Sequence, residues 1–303
     1  MPSIHPYYPT QTEVDQWCEE LYQSAIKAPY SFEILDRNGY TPALGHFNSD
    51  NRYIKFSFED NTEFYAYWQP TFVKNAPLLV HTTGYGAEFS FHPELVAQGF
   101  NVLHVQCMGY ATPDGRVESL RNEHNEWPVL PDTITMNAKG GYYNWLSQVV
   151  IAVNWALEHF KLDNRISFFG TSQGGGGSLL LTSIFKDKGV QACAADVPFL
   201  THFPMANWRG AYEVAKQAFT ADEPTEQQWK AIGYIDTMSH AHRLTVPVLL
   251  TAGEIDTTCP PETIEALFDK LPGTKSYTRL QGIGHRYTRE FVILTAAWFR
   301  LHS

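Results

Sequence analysis

Apolar positions recur along the chain with two different periods, and the pattern changes after Pro77. Val14, Trp17, Cys18, Leu21 and Ala25 fall three or four residues apart, which predicts an amphipathic helix over 11–27. From 53 to 58 the period is two, with Ile54, Phe56 and Phe58 on one face; Phe64 to Trp68 is a second β-rich run. The polar EDNTE between them reads as a turn, so the two runs predict an antiparallel hairpin.

Beyond Pro77, short apolar runs alternate with longer helical stripes. LLVHT (78–82), NVLHV (101–105), ISFF (166–169) and VPVLLTA (246–252) read as buried strands, and SYTRLQ (276–281) as the last one. Between them Trp145, Val149, Val153, Ala156 and Phe160 share a helical stripe, as do Ile264, Leu267, Phe268 and Leu271. Phe291, Leu294, Trp298 and Leu301 form a third stripe at the C-terminus. Buried strands alternating with amphipathic helices predict an α/β fold: a doubly wound, mostly parallel sheet with loops at the strand C-termini forming the site. Residues 203–243 break the alternation and are expected to make a small helical excursion, a candidate cap or lid, on a single domain spanning 1–303.

Composition narrows the function. With 44% hydrophobic residues in 303, the chain can bury one large core, and 18% charged residues excludes the disordered class. A net charge of −10 and a pI near 5.6 disfavour nucleic acid and membrane partners and suit a neutral small molecule. Cys18, Cys107, Cys193 and Cys259 are scattered with no C-x-x-C pair, so neither a zinc site nor a disulfide framework is expected. The opening MPSIHPYYPTQTEVDQW lacks a basic segment followed by an apolar one, and no apolar run reaches the roughly 20 residues of a membrane span. A soluble, cytoplasmic protein is the expectation.

Gly170-Thr171-Ser172-Gln173-Gly174 is G-x-S-x-G, set between the strand ISFF and the helix-compatible SLLLTSIF. The bare pentad is common; the strand–turn–helix context makes it a nucleophile elbow, with Ser172 on a strained turn at a helix N-terminus and the chain in an α/β-hydrolase fold. A phosphate loop would require Gly-Lys-Ser/Thr, and no lysine lies here. In this fold the chain order is serine, acid, histidine. VPVLLTAGEIDTTCPP offers Asp256 as the acid, with Glu254 as the alternative. GIGHRYTREF supplies His285 after the last strand, read as opening the final helix. His81, His92, His104, His124, His159, His202, His240 and His242 have ordinary readings as strand, cap or surface residues. The expected oxyanion donors are the backbone N–H groups of Gln173 and of Tyr85, the latter in Gly84-Tyr85-Gly86 after a strand.

With these segments in place, the sequence resembles the acetyl xylan esterase / cephalosporin C deacetylase family, carbohydrate esterase family seven. GTSQGGG is similar to that family's G-x-S-Q-G-G, DTTCPPET (256–263) to its acid loop, GIGH (282–285) to its histidine loop and GYG (84–86) to its oxyanion loop. AADVPFL (194–200) and YY (142–143) are further likenesses. The resemblance implies deacetylation of small acetylated sugars or related acetyl esters, with no cofactor, no metal, a compact acyl pocket and assembly as a homo-oligomer, often a hexamer. Where the family carries Arg-Gly-Gln, this chain reads Gln106-Cys107-Met108-Gly109-Tyr110, which marks a divergent member.

Two other readings stand beside it. One is a different serine hydrolase on the same scaffold: a peptidase, lactonase or longer-chain carboxylesterase, with Glu88, Glu254 or Asp196 as candidate anchors for a peptide terminus. The other is a non-catalytic binding protein. Trp68, Trp127, Trp208 and Trp229 are read as packing residues rather than sugar platforms.

Overall fold

A reciprocal capping box starts the first helix, α1 (Gln11–Lys27): Glu13 N–H donates to Thr10 Oγ1, and Thr10 N–H to Glu13 Oε2. The computed structural model describes residues 4–35, 50–160, 162 and 164–303. Nine of the strands fall in two groups. β1 (Ser31–Ile34), β2 (Arg52–Ser57) and β3 (Glu63–Gln69) pair antiparallel, while β4 (Leu78–Thr82), β5 (Asn101–Gln106), β8 (Ile166–Thr171), β9 (Val190–Asp196), β10 (Val248–Gly253) and β11 (Lys275–Leu280) pair parallel. Between β5 and β8 lies a two-stranded ribbon, β6 (Ala111–Thr112) and β7 (Gly115–Arg116). The main sheet has nine strands in the order β1-β2-β3-β5-β4-β8-β9-β10-β11, with β3 joined antiparallel to β5.

The hairpin and the alternation after Pro77 are thus found as the apolar pattern predicts. The central strands are buried on both faces, so alternate residues feed two cores. Leu78, Val80, Leu103, Val105 and Phe168 pack beneath α4 (Tyr142–His159) and α5 (Gln173–Ile184), with α1 behind. Leu79, Val102, Phe169, Ala194 and Leu249 meet the other layer, made by α2 (Pro93–Ala97) and α10 (Arg289–His302), through Leu95, Phe291 and Phe299. Each large apolar side chain buried this way contributes about 1.5–3 kcal/mol. At the far edge β11 is only half-buried and carries Lys275 and Arg279, charges that discourage further strand pairing.

One expectation needs correction. His285 does not open the final helix: α10 begins at Arg289, where Thr288 Oγ1 accepts the Phe291 N–H at 3.2 Å, and His285 lies in the loop before it. That loop position leaves its ring free to turn toward the sheet.

The excursion at 203–243 contains α6 (Phe203–Ala206), a 3-10 segment Gly210–Ala218, α7 (Glu226–Ile235) and α8 (Thr237–His240). The remaining helices, α3 (Val129–Thr135) and α9 (Pro261–Lys270), flank it. Asp236, fully buried, ties this region down by accepting from Tyr8 Oη, His202 N–H, Phe203 N–H and Met238 N–H at 2.7–3.0 Å. Among the described residues, no helix is long and apolar enough to cross a membrane.

Candidate active site

Ser172 stands between β8 and α5 with φ 60° and ψ −118°, a conformation non-glycine residues rarely adopt. Its backbone is clamped from both sides: Ser172 N–H donates to Asp196 O at 2.9 Å, and Ser172 O accepts from Phe199 N–H at 2.9 Å. The turn also requires close backbone approach. A Cβ on Gly174 would sit 2.0 Å from Thr82 O, and one on Gly170 would sit 2.5 Å from the same oxygen. Sequence GTSQG therefore supplies a strained serine between two positions with no room for a side chain.

The loops after β10 and β11 converge on this serine. Glu254 N–H donates to Leu280 O and Ile255 N–H to Ile283 O, both at 3.0 Å, so the two loops are stitched together. Asp256, with 4% exposure, has its Oδ1 held by the N–H groups of Thr258 and Cys259 at 2.8 and 2.9 Å. Its Oδ2 lies 2.8 Å from His285 Nδ1, and His285 Nε2 lies 2.8 Å from Ser172 Oγ. An ionised carboxylate only accepts, which puts the imidazole proton on Nδ1 and leaves Nε2 to accept from the serine hydroxyl. The structure brings Ser172, His285 and Asp256 into one hydrogen-bonded line. Glu254 is outside it; its Oε2 accepts from Gly282 N–H at 2.8 Å.

Tyr85 and Gln173 border the same cavity as Ser172 and His285, a space of about 610 Å³. Gln173 is the first residue of α5, and its side chain accepts from Tyr142 Oη at 2.9 Å. Tyr85 Oη accepts from Trp127 N–H at 2.6 Å and donates to Glu126, which fixes the 84–86 loop against residues 126–127. Burial and the Glu126 carboxylate push this phenol above its ordinary value. Behind the loop, Gln106 Nε2 donates to Ala87 O at 2.6 Å, so the position where Arg-Gly-Gln is absent still braces the segment after β4.

The rest of the cavity wall comes from segments that the sequence pattern did not connect. Trp127, Val129, Leu130 and Pro131 come from the segment between β7 and α4, and Ala211, Val214 and Gln217 come from the excursion. Trp127 is packed beneath Arg121, whose guanidinium lies 3.7 Å from the ring, yet it also faces the cavity. Asp196 is not a substrate anchor: it is fully buried and accepts from Thr251 Oγ1 and Thr171 Oγ1 at 2.5 and 3.0 Å. Burial pushes its carboxyl up to about 6, against the opposing pull of those hydroxyls. Glu88 points outward to Arg116 at 3.4 Å.

Residues 53–302 match the family model described as acetyl xylan esterase (AXE1). The chain is 32% identical over 289 residues to acetyl esterase Axe7A of Xylanibacter ruminicola, covering 90% of this chain; it spans 63% of that relative's length. It superposes on acetyl xylan esterase 1 from Thermoanaerobacterium sp. JW/SL YS485 with a TM-score of 0.79 at 18% identity, covering 96% of this chain and 93% of the other. An acetyl xylan esterase from Paenibacillus sp. R4 gives 0.73 at 19% identity over 100% of both chains. A puromycin hydrolase gives 0.59 at 18% identity, covering 80% of this chain and 37% of the other. These superpositions establish the α/β-hydrolase fold.

Proposed function

The chain belongs to the acetyl xylan esterase family, and from that premise we propose that it is a serine carboxylic-ester hydrolase removing acetyl groups from acetylated sugars or other small acetyl esters. The observation that carries this proposal is the line Ser172–His285–Asp256, with 2.8 Å at each link. In the reaction, His285 Nε2 takes the hydroxyl proton as Ser172 Oγ attacks the ester carbonyl. Asp256 holds the ring and stabilises the imidazolium. The carbonyl oxygen, now negative, accepts from the N–H groups of Gln173 and Tyr85; one such donor is worth about 2.7–4 kcal/mol in the transition state. His285 then protonates the leaving alkoxide and activates the water that releases acetate.

The cavity bears on substrate choice. At about 610 Å³, with Val129, Leu130, Pro131 and Val214 in its wall, it exceeds an acetyl group and has room for a sugar ring on the alcohol side. The same volume favours, as a second reading, a carboxylesterase for longer acyl chains. A panel of p-nitrophenyl acetate, butyrate and octanoate, with acetylated xylo-oligosaccharides, separates the two. Acetate is expected to lead, with kcat/KM at octanoate lower by about tenfold or more. Octanoate in the lead would establish the second reading. A fluorophosphonate that leaves Ser172 unlabelled in the folded protein would point instead to a binding protein.

A further inference from the structure

Beneath the segment that leaves β4, three imidazoles meet in the interior. His81 and His104 are register partners on β4 and β5, and His92 precedes α2 in the loop above them. All three are buried, with exposures of 5%, 0% and 3%. The His81 ring lies 4.3 Å from that of His92 and 5.0 Å from that of His104, centroid to centroid, and one nitrogen from each ring lies within 4.8 Å of the others. The cluster sits on the α2/α10 side of the sheet, walled by Phe169 and Phe89.

Hydrogen bonding leaves these rings unfinished. His81 Nδ1 and His104 Nδ1 share one bond of 2.8 Å. Among the described residues, both nitrogens of His92 and Nε2 of His104 have no hydrogen-bond partner, and neither has Gln106 Oε1, two residues further along the same face of β5. Buried polar atoms without partners are uncommon and call for a cause.

We propose that His81, His92 and His104 form a binding site for a divalent transition-metal ion of the zinc class. Three imidazoles are the donor set that such ions prefer, and a water is a candidate for the fourth position. The proton shared between the two Nδ1 atoms moves to Nε2 of the same ring when both ligate, so the rings keep their charge. Glu94 Oε1 lies 3.9 Å from His92 Nδ1, suited to orient that ring and leave Nε2 for the ion. Tetrahedral bonds of about 2.0–2.1 Å place ligand nitrogens about 3.3–3.4 Å apart. Binding therefore opens the 2.8 Å pair slightly and draws His92 toward it. His92 ends the segment that begins at Gly84, so the ion would pin the loop carrying Tyr85 to β4 and β5.

The test uses the full chain, unfolded with a chelator, then refolded with one equivalent of Co²⁺ or Zn²⁺. Wild type is expected to retain one ion per chain through gel filtration and, with Co²⁺, to show the visible absorption of a four-coordinate site. His92→Gln and His104→Gln should each bind more than about 100-fold more weakly, whereas His124→Gln, at an exposed position, should match wild type. No retained ion in wild type, or equal retention in both buried-site variants, overturns the proposal. Wild-type stoichiometry decides even where a variant fails to fold.

Discussion

Glu254 and Asp256 leave one loop two residues apart and serve different partners: Asp256 Oδ2 meets His285 Nδ1 at 2.8 Å, while Glu254 Oε2 accepts from Gly282 N–H at 2.8 Å. The first contact sets the imidazole tautomer; the second only braces the loop. Asp256→Asn should lower kcat by about 10³–10⁴, because an amide can donate to Nδ1 and turn the ring's proton toward the serine. Glu254→Gln should stay within about tenfold. Steady-state kinetics on p-nitrophenyl acetate check both, and the reverse ranking would reassign the acid.

The elbow tolerates no side chain at Gly174. An added Cβ would lie 2.0 Å from Thr82 O, a backbone atom that cannot rotate away. Gly174→Ala should cost about 2–3 kcal/mol or more in urea unfolding. Gly284→Ala is the contrast, since its Cβ would meet only Ile255 O at 3.9 Å, and it should cost less than about 1 kcal/mol. Equal costs at the two positions would show that the crowding at Thr82 is relieved by backbone movement.

The parts of this molecule legible in sequence are those whose signal is local. β4, β5 and β10 are buried throughout and β8 at all but its last residue, so they read as short, mostly apolar runs. β1 is exposed at every position and β9 contains four small residues in VQACAAD, so neither carries a clear period. The start of α10 carries a local signal in the capping residue Thr288, but Gly282 and Gly284 give His285 a similar setting three residues earlier. The three buried histidines each look ordinary alone. Only the parallel register of β4 with β5 sets His81 beside His104, and only the path of the intervening loop brings His92 over them. The cavity wall is likewise tertiary, assembled from 126–131 and 210–217.

Tyr85 couples the 84–86 loop to that wall. Its hydroxyl accepts the Trp127 N–H at 2.6 Å and donates to Glu126. Tyr85→Phe leaves the Trp127 amide without this acceptor, which should cost about 1–3 kcal/mol of stability. On the proposed reaction, the N–H of residue 85 then loses its anchor, and kcat should fall by up to about tenfold while a fluorophosphonate still labels Ser172. Unchanged stability and unchanged kcat together would mean that the loop is held by Gln106 and Ala87 alone.

Asp196 gives the surroundings of Ser172 a pH dependence opposite to that of a surface carboxylate. Its backbone oxygen holds Ser172 N–H at 2.9 Å, and its carboxyl, pushed up to about 6 by burial, sits above the roughly 3.9 of an unfolded aspartate. Between those two values the folded chain binds the proton that the unfolded chain has released, so stability falls as pH rises from about 4 to about 6 and levels off above. The gap corresponds to about 3 kcal/mol. Asp196→Asn removes this titration but keeps a side chain of the same shape beside Thr171 and Thr251. The unfolding free energy of wild type minus that of Asp196→Asn should therefore decline across pH 4–6.5 and stay flat to pH 8. A difference that climbs with pH would mean that the two threonine hydroxyls and His285 outweigh desolvation, and that this carboxylate is held ionised behind the serine.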